Sequence, residues 1–539
     1  LDANVTGTGS TAVGLSALSS NTLGGNTALG YYAAQANTTG SGIVAIGNQA
    51  LYYNTTGSSN VAVGESALVA NTTSSLNTAI GFQALSSQTT GTNVNTAVGY
   101  RALAAGNNAN NFNNTAIGGY VLEDNIGSNN TGVGRNALLQ NTSGNENVSV
   151  GASALDANTT GDQNVAIGFE ALSANTTADA LTAVGTRALL SNTTGANNVA
   201  VGRHALYSNA TGGQLTAVGV GAMALNTASW NTAVGYAALN SNETGDSQAA
   251  FGASALSLNT TGAGNTALGR DTLGANTTGN SNTAVGKSAL IANTTASNNT
   301  AVGLESLDAN TTGSENTALG TYSLSTNTTG ANNVAMGYNA LGANTTASNN
   351  TAIGFRTLEG TTTGQQNVAI GGLAGDANVS GNYNTLIGYN AGGALDGNYN
   401  AFLGRSSGSA VTSGVKNTII GSYNGNQGGL DIRTSDNHVV LSDGDGNPRL
   451  YLNAVGEIVS TPTYANTTAA AANVYIASNS KLYRSTSSAR YKNTIKDAPF
   501  GLAEAIALRP VTYKGNSDDD GDTVYGGLIA EEVHDAGLT

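Results

Sequence analysis

A unit of about 17 residues recurs from the N-terminus to Gly421, and a fixed period that short leaves a stacked-coil architecture as the consistent fold. Residues 265–281 read NTALGRDTLGANTTGNS, and the chain writes this phrase 25 times, each copy marked by the glycine that closes an Asn-Thr-Ala-Val-Gly core. Most marker glycines stand 17 residues apart, with slips to 18 between Gly81 and Gly99 and to 19 between Gly99 and Gly118. One such unit cannot bury an apolar face alone, so each must lie on its neighbours. Disordered chain has no reason to hold Val, Leu, Ile and Ala at fixed positions, which sets the repeat against the disorder that a polar, glycine-rich composition would otherwise suggest.

Within a copy, the residues three and one before the marker glycine are bulky or β-branched: Val61 and Val63, Val165 and Ile167, Val334 and Met336. The alternate positions, Ala62 and Gly64 for example, are small, so a period-two strand has one bulky and one nearly bare face. An Ala-Leu pair such as Ala289-Leu290 returns an apolar side chain to the interior, and Asn-Thr-Thr-Gly, as in residues 276–279, supplies turn chemistry. The unit therefore reads strand, turn, short strand, turn, and the fold class is all-β: a β-solenoid or β-roll rod over residues 1–421. Like residues stacked about 4.8 Å apart place Asn and Thr in ladders and Val and Leu in a continuous narrow core, and 25 coils span on the order of 120 Å. With about three apolar side chains per layer, that core is thin. The bare Ala/Gly face is then expected to let second and third chains approach closely, which favours a parallel homotrimer over a monomeric solenoid.

The charge pattern narrows the partners. Net charge is −14, and up to Gly421 the chain has 9 Lys+Arg against 18 Asp+Glu, so no basic patch exists to neutralise phosphates and nucleic acid is not expected as a partner. Cysteine is absent, which removes disulfides and thiolate metal sites. No apolar run reaches the ~20 residues that span a bilayer, so membrane insertion is not expected, and the start at Leu1 without signal peptide or initiator Met suggests a processed N-terminus. Asn-Thr-Thr triplets such as residues 293–295 match the N-glycosylation acceptor pattern, but they fall where the coil needs a turn ladder.

The Asn-Thr-Ala-Val-Gly-x-x-Ala-Leu pattern resembles the head repeats of trimeric autotransporter adhesins and is more similar still to repeats in tail-fibre proteins of tailed bacteriophages. Left-handed winding and trimerisation are what that resemblance implies.

Past Gly421 the period lapses into a join, residues 422–486, and a tail, residues 487–539. In the join, residues 422–429 form a polar, glycine-rich linker, and residues 438–441 and 449–452 make a hairpin around an Asp-Gly-rich turn. Asp443, Asp445 and Asn447, and again Asp518, Asp520 and Asp522, carry oxygens at the alternate spacing of calcium loops, but neither set has the closing bidentate acid, and a solvated turn is the default. Residues 473–477 and 481–484 read as two further strands.

Three blocks of the tail, residues 487–495 (SSARYKNTI), 502–513 (LAEAIALRPVTY) and 527–533 (GLIAEEV), resemble in order the C-terminal intramolecular chaperone of phage tailspikes, tail fibres and endosialidases. The resemblance implies a small α+β domain with a short amphipathic helix that trimerises the fibre and then cuts itself off before a serine. Carried over by position, the nucleophile is Ser487, its base is Lys492, and the scissile bond is Thr486–Ser487. Ser488 departs from the Asp that many members have there, and the chain stops at Thr539, soon after the third block.

The functional expectation is a structural fibre without cofactor or resident metal: the shaft of a phage tail fibre or similar appendage, on a virion tail or cell surface. It would join a particle baseplate protein at its N-terminal end and meet a host-surface receptor, glycan or protein. A bacterial trimeric adhesin or extracellular filament is the rival. A polysaccharide-depolymerising tailspike would need paired carboxylates in a groove, whereas Glu243, Glu305 and Glu315 are scattered through variable positions.

Overall fold

The computed structural model describes residues 3, 7–91, 93–105 and 111–460, and four strand segments beyond them, 474–476, 482–484, 510–514 and 524–528. The chain divides into two compact units, Leu1–Ser460 and Thr461–Thr539.

The first unit is a parallel β-solenoid with one three-residue strand per coil, from β1 (Thr11–Val13) to β25 (Thr418–Ile420). Each strand pairs in register with the strand one repeat away, as in Thr283↔Thr300, Ala284↔Ala301 and Val285↔Val302. The coil that follows Asn282 shows the rest. Asn282, Ala284, Ala289, Leu290, Asn293 and Ala296 point inward and are buried. Lys287, Thr295 and Asn298 face outward. The Ala-Leu pair is a turn rather than the expected second strand: Ser288 and Leu290 take left-handed φ of 57° and 52°, and Asn298 takes 61°. Leucine enters that region at a cost, and it is held there because its N–H reaches the next coil, Leu290 donating to the Ser306 carbonyl at 3.0 Å. The marker glycine is required for two reasons at once. At Gly286 φ is 124°, and a Cβ would stand 2.4 Å from the Gly303 carbonyl oxygen.

The interior of a typical coil holds three apolar side chains, two Ala and one Leu, which accounts for the thin core expected from the period. What closes it is amide chemistry. The Asn of each Asn-Thr-Thr turn donates to its counterpart one coil earlier and to a carbonyl three residues on. Asn293 Nδ2 does so to Asn276 Oδ1 at 2.8 Å and to the Ala296 carbonyl at 3.1 Å. A second row runs through the Asn that precedes most strands, whose Oδ1 accepts the next coil's backbone N–H, as Asn265 Oδ1 does from Asn282 at 2.9 Å. Threonine stacks outside the first row, Thr277 Oγ1 donating to the Thr294 carbonyl at 3.0 Å. The glycosylation-like triplets are therefore turn ladders with their asparagines sealed inside.

The strand faces are the reverse of the expectation. The small central residue points in, with Ala284, Ala301 and Ala318 fully buried, while the bulky pair points out. A left-handed turn on either side makes the coil so narrow that only a methyl group fits opposite the Leu. The bare face thus lines the interior of a single chain and is not free for a neighbouring chain to approach.

At the C-terminal end the solenoid changes pattern. Residues 422–429 are no linker: Tyr423 is fully buried and its hydroxyl donates to the Leu430 carbonyl at 2.8 Å. A short antiparallel pair, β26 (Asn426–Gln427) and β27 (Leu430–Asp431), follows. Then β28 (Val439–Ser442) adds in parallel to β25, and the expected hairpin forms as β28 turns back on β29 (Pro448–Leu452), with β30 (Ile458–Val459) outside it. This reversal covers the last coil, so the join divides at 460/461 and its hairpin belongs to the solenoid.

In the second unit, β31 (Val474–Ile476) pairs antiparallel with β32 (Leu482–Arg484), the two strands read from sequence, and β33 (Pro510–Lys514) pairs antiparallel with β34 (Val524–Leu528). The short amphipathic helix implied before the segment that starts at Leu508 lies outside the described residues.

Candidate functional site

Ser487, Lys492 and the Thr486–Ser487 bond, together with Asp518, Asp520 and Asp522, lie outside the described residues. The other acidic loop is described, and the carboxylate oxygens of Asp443 in it are already used. Asp443 accepts from the Asn447 N–H at 2.8 Å, the Asp445 N–H at 3.1 Å and Arg449 Nε at 2.8 Å. These bonds, the Asn447 N–H foremost, lower its pKa to about 2. The loop is a turn closed by an internal ion pair, Arg449 on Asp443. Among the described residues no group of three or more His, Asp or Glu could hold a metal ion. His438 stands in the second amide row, its N–H on Asn417 Oδ1 and its Nδ1 against the Asp436 carbonyl, and His204 lies edge-on to Tyr207 on the surface, so neither completes a hydrolytic triad.

The chemistry-bearing surface is instead the outside of the coils, and it is organised in rows. The outward strand residues form two rows 25 strands long: an apolar one before the marker glycine, in which Val13 is 56% exposed, Leu29 48% and Ile420 46%, and one beside it that is Thr in 16 of the 25 strands. The edge beside the apolar row begins at the two positions after the marker glycine. Eight of the nine Lys and Arg residues before Gly421 stand there: Arg101, Arg135, Arg187, Arg203, Arg270, Lys287, Arg356 and Arg405. Aromatic rings share those positions, and where consecutive coils carry them they meet, Phe82 stacked on Tyr100 at 5.3 Å and Tyr338 on Phe355 at 5.7 Å between centroids, and Tyr100–Tyr120 and Tyr322–Tyr338 edge to face. Arginine joins the same stacks and pairs with acids on the edge. The Arg187 guanidinium lies 5.8 Å from the Phe169 ring centre and 2.7 Å from Glu170, while Arg101 contacts Glu123 at 2.7 Å.

Three aspartates five residues past the marker glycine, Asp156, Asp308 and Asp376, are half-buried along this edge, and loss of hydration pushes each carboxyl above its ordinary value. Glu243, Glu305 and Glu315 occupy three different rows of the coil, so no carboxylate pair of a glycosidase forms from them. The cationic and aromatic edge is the feature that sequence reading missed. Its positions look variable one copy at a time, and the signal lies in the confinement of nearly every cation to them.

No family model matches the chain, and no curated protein or solved structure is significantly similar to it.

Proposed function

We propose that the chain is the shaft of an extended fibre, of the kind that tailed phages use to hold a host-attachment surface away from the particle. The observation that carries this reading is the apolar stripe. One outward apolar residue per strand, joined by Val in seven coils of the neighbouring row, makes an exposed stripe on the order of 120 Å long, a continuous apolar feature of the kind that marks an interaction site. Three parallel copies facing one axis would cover it along its whole length. The interface is then the bulky Val/Ile/Leu face, not the bare one expected from sequence. The adjoining edge of arginine and aromatic rings suits the rim of such a contact, since both residue types are enriched at interfaces. A bacterial adhesin would use the same shaft, and a membrane-anchor barrel or secretion signal in adjoining chain would identify it.

Light scattering coupled to size exclusion tests the assembly. A trimer mass with an elongated hydrodynamic radius is the expected result; a monomer mass removes the fibre reading, and a dimer mass keeps a covered stripe but removes the threefold arrangement.

The tail is proposed to direct trimerisation and then to cleave itself at Thr486–Ser487. Ser487 Oγ would attack the Thr486 carbonyl carbon while neutral Lys492 takes its proton and passes it to the Ser487 nitrogen as the C–N bond breaks, and water would then hydrolyse the resulting Thr486–Ser487 ester. A lysine with a reference pKa near 10.4 needs roughly three units of depression to be neutral at pH 7, on the order of 4 kcal/mol, which burial between chains would supply. Intact mass of the expressed chain, beside Ser487→Ala and Lys492→Ala, is the check. A fragment beginning at Ser487 in the wild type alone supports the dyad, and an uncut wild type that assembles normally leaves a folding domain without enzymatic activity.

A further inference from the structure

The 19-residue interval ending at Gly118 is followed by one of 16, and the coils after this irregularity carry a cleft of about 570 Å³. Two breaks of the row pattern create it. In the row that follows the turn Asn, where Ile126 stacks on Thr142, nearly every coil has Thr, and Ile126 and Val379 are its bulky apolar residues. Six residues before the marker glycine nearly every copy has a small or polar residue, and Phe112 is the only aromatic. Both side chains line the cleft and are more than a third exposed. The rest of the lining is polar: Asn129, Asn145, Glu146 and Gln163, with Asp162 beside them.

These polar groups are held in place by the stacking. Asn145 Oδ1 accepts the Ser128 N–H at 2.9 Å, Asp162 Oδ1 accepts the Asn145 N–H at 2.6 Å, and Glu146 Oε2 accepts from Gln163 Nε2 at 3.1 Å. Each carboxylate keeps a second oxygen as an oriented acceptor. We propose that this cleft binds a neutral saccharide, with one pyranose C–H face on Phe112 and Ile126 and its hydroxyls donating to Glu146 and Asp162.

The alternatives fit the lining less well. No lysine or arginine lines the cleft, so an anionic sugar meets two carboxylates and no cation. A peptide strand would need free backbone edges, but the backbone here is paired from coil to coil, Asn129 N–H on the Phe112 carbonyl at 3.0 Å and Glu146 N–H on the Ser128 carbonyl at 3.1 Å. An aromatic floor under a few fixed polar groups is the usual construction of a small-ligand site. The proposal rests on the attachment-fibre reading and gives that fibre a lateral receptor site.

The test is saturation-transfer NMR and calorimetry on the full chain with the methyl glycosides of glucose, galactose, mannose and N-acetylglucosamine, and with N-acetylneuraminic acid as the anionic arm. At least one neutral glycoside should bind. Phe112→Ala should weaken it about tenfold, Phe112→Tyr should retain it, and Glu146→Gln should weaken it severalfold, all at unchanged assembled mass. Absence of binding by all four neutral glycosides overturns the proposal. So does binding of the anionic sugar alone, or neutral binding that survives Phe112→Ala. Each of these results leaves the fibre reading standing, because that reading is judged by mass and length.

Discussion

The middle coils and the last coils solve the same packing problem with opposite placements of bulk. Through most of the solenoid the strand centre is Ala and the left-handed turn carries Leu, as in Ala284 and Leu290. In the coils marked by Gly371, Gly388 and Gly404 the turn residue is Gly375, Gly392 and Gly408 in place of Leu, and the bulk has moved to the strand centres, Leu386, Phe402 and Ile419, each one coil further on. A Cβ on Gly408 would lie 2.3 Å from the Phe402 ring, and one on Gly375 would lie 2.7 Å from Leu386. The amide row changes in the same place, Leu395 and Val411 standing where earlier coils have Asn. Each layer conserves its filled volume rather than the position that fills it. The last coils also become the seat of the capping hairpin.

The largest expected effect breaks this exchange directly. Phe402→Ala should cost about 3–5 kcal/mol in urea unfolding followed by tyrosine fluorescence, since neither Gly392 nor Gly408 can refill the space. Adding Gly408→Leu restores the arrangement of the middle coils and should recover a large part of the loss. If the double variant is less stable than Phe402→Ala alone, volume exchange is not the rule.

Next in size is the amide ladder. Asn293→Ala strands Asn276 Oδ1 inside the coil and leaves the Ala296 carbonyl with the Asn282 amide as its remaining side-chain donor, for an expected loss of about 1–3 kcal/mol. Asn293→Leu imports the choice of the last coils into the middle and should cost no less, because its neighbours there remain polar. Equal stability of wild type and Asn293→Ala would mean that the ladder contributes nothing.

A smaller gain is available where the ladder already fails. Asn71, Asn344 and Asn378 each have an Oδ1 without a partner, and the next coil carries Gln88, Thr361 and Leu395 in the row. Thr361→Asn should supply the missing donor to Asn344 and stabilise by about 1 kcal/mol, read as a shift of the urea midpoint at constant slope.

The smallest effect separates the two regions by pH. Burial raises the Asp308 carboxyl in a middle coil, so the fold disfavours its ionised form; stability there is highest below the unfolded value near 3.9 and falls as pH rises through the raised value. Asp443 in the capping hairpin has the opposite sign: its contribution is present above that unfolded value and is lost as pH falls through about 2. Native-state hydrogen exchange between about pH 5 and pH 2, corrected for intrinsic rates, should show the hairpin losing protection while the coils around Asp308 gain it. Asp308→Asn should remove that gain and leave the hairpin's loss unchanged.

Much of the fold was legible. The marker glycines announce the period, and the period dictates stacking because no 17-residue unit has a core of its own. The Asn-Thr-Thr turns announce ladders, and the pair of alternating segments around residues 442–448 announces the hairpin that forms. The chemistry was legible only as resemblance, since Ser487 and Lys492 carry meaning through the blocks around them and not through their spacing.

What the sequence alone could not decide was which strand face is the inside. Alternation fixes that Thr283 and Val285 share one face and that Ala284 lies on the other, but it is silent on direction. Direction was decided by the tertiary fold: left-handed turns at Ser288, Leu290 and Asn298 tighten the coil until a Leu on one wall leaves room only for a methyl on the other. The same closure turned the asparagines inward, where their amides bond from coil to coil, and left the valines outside for whatever covers them.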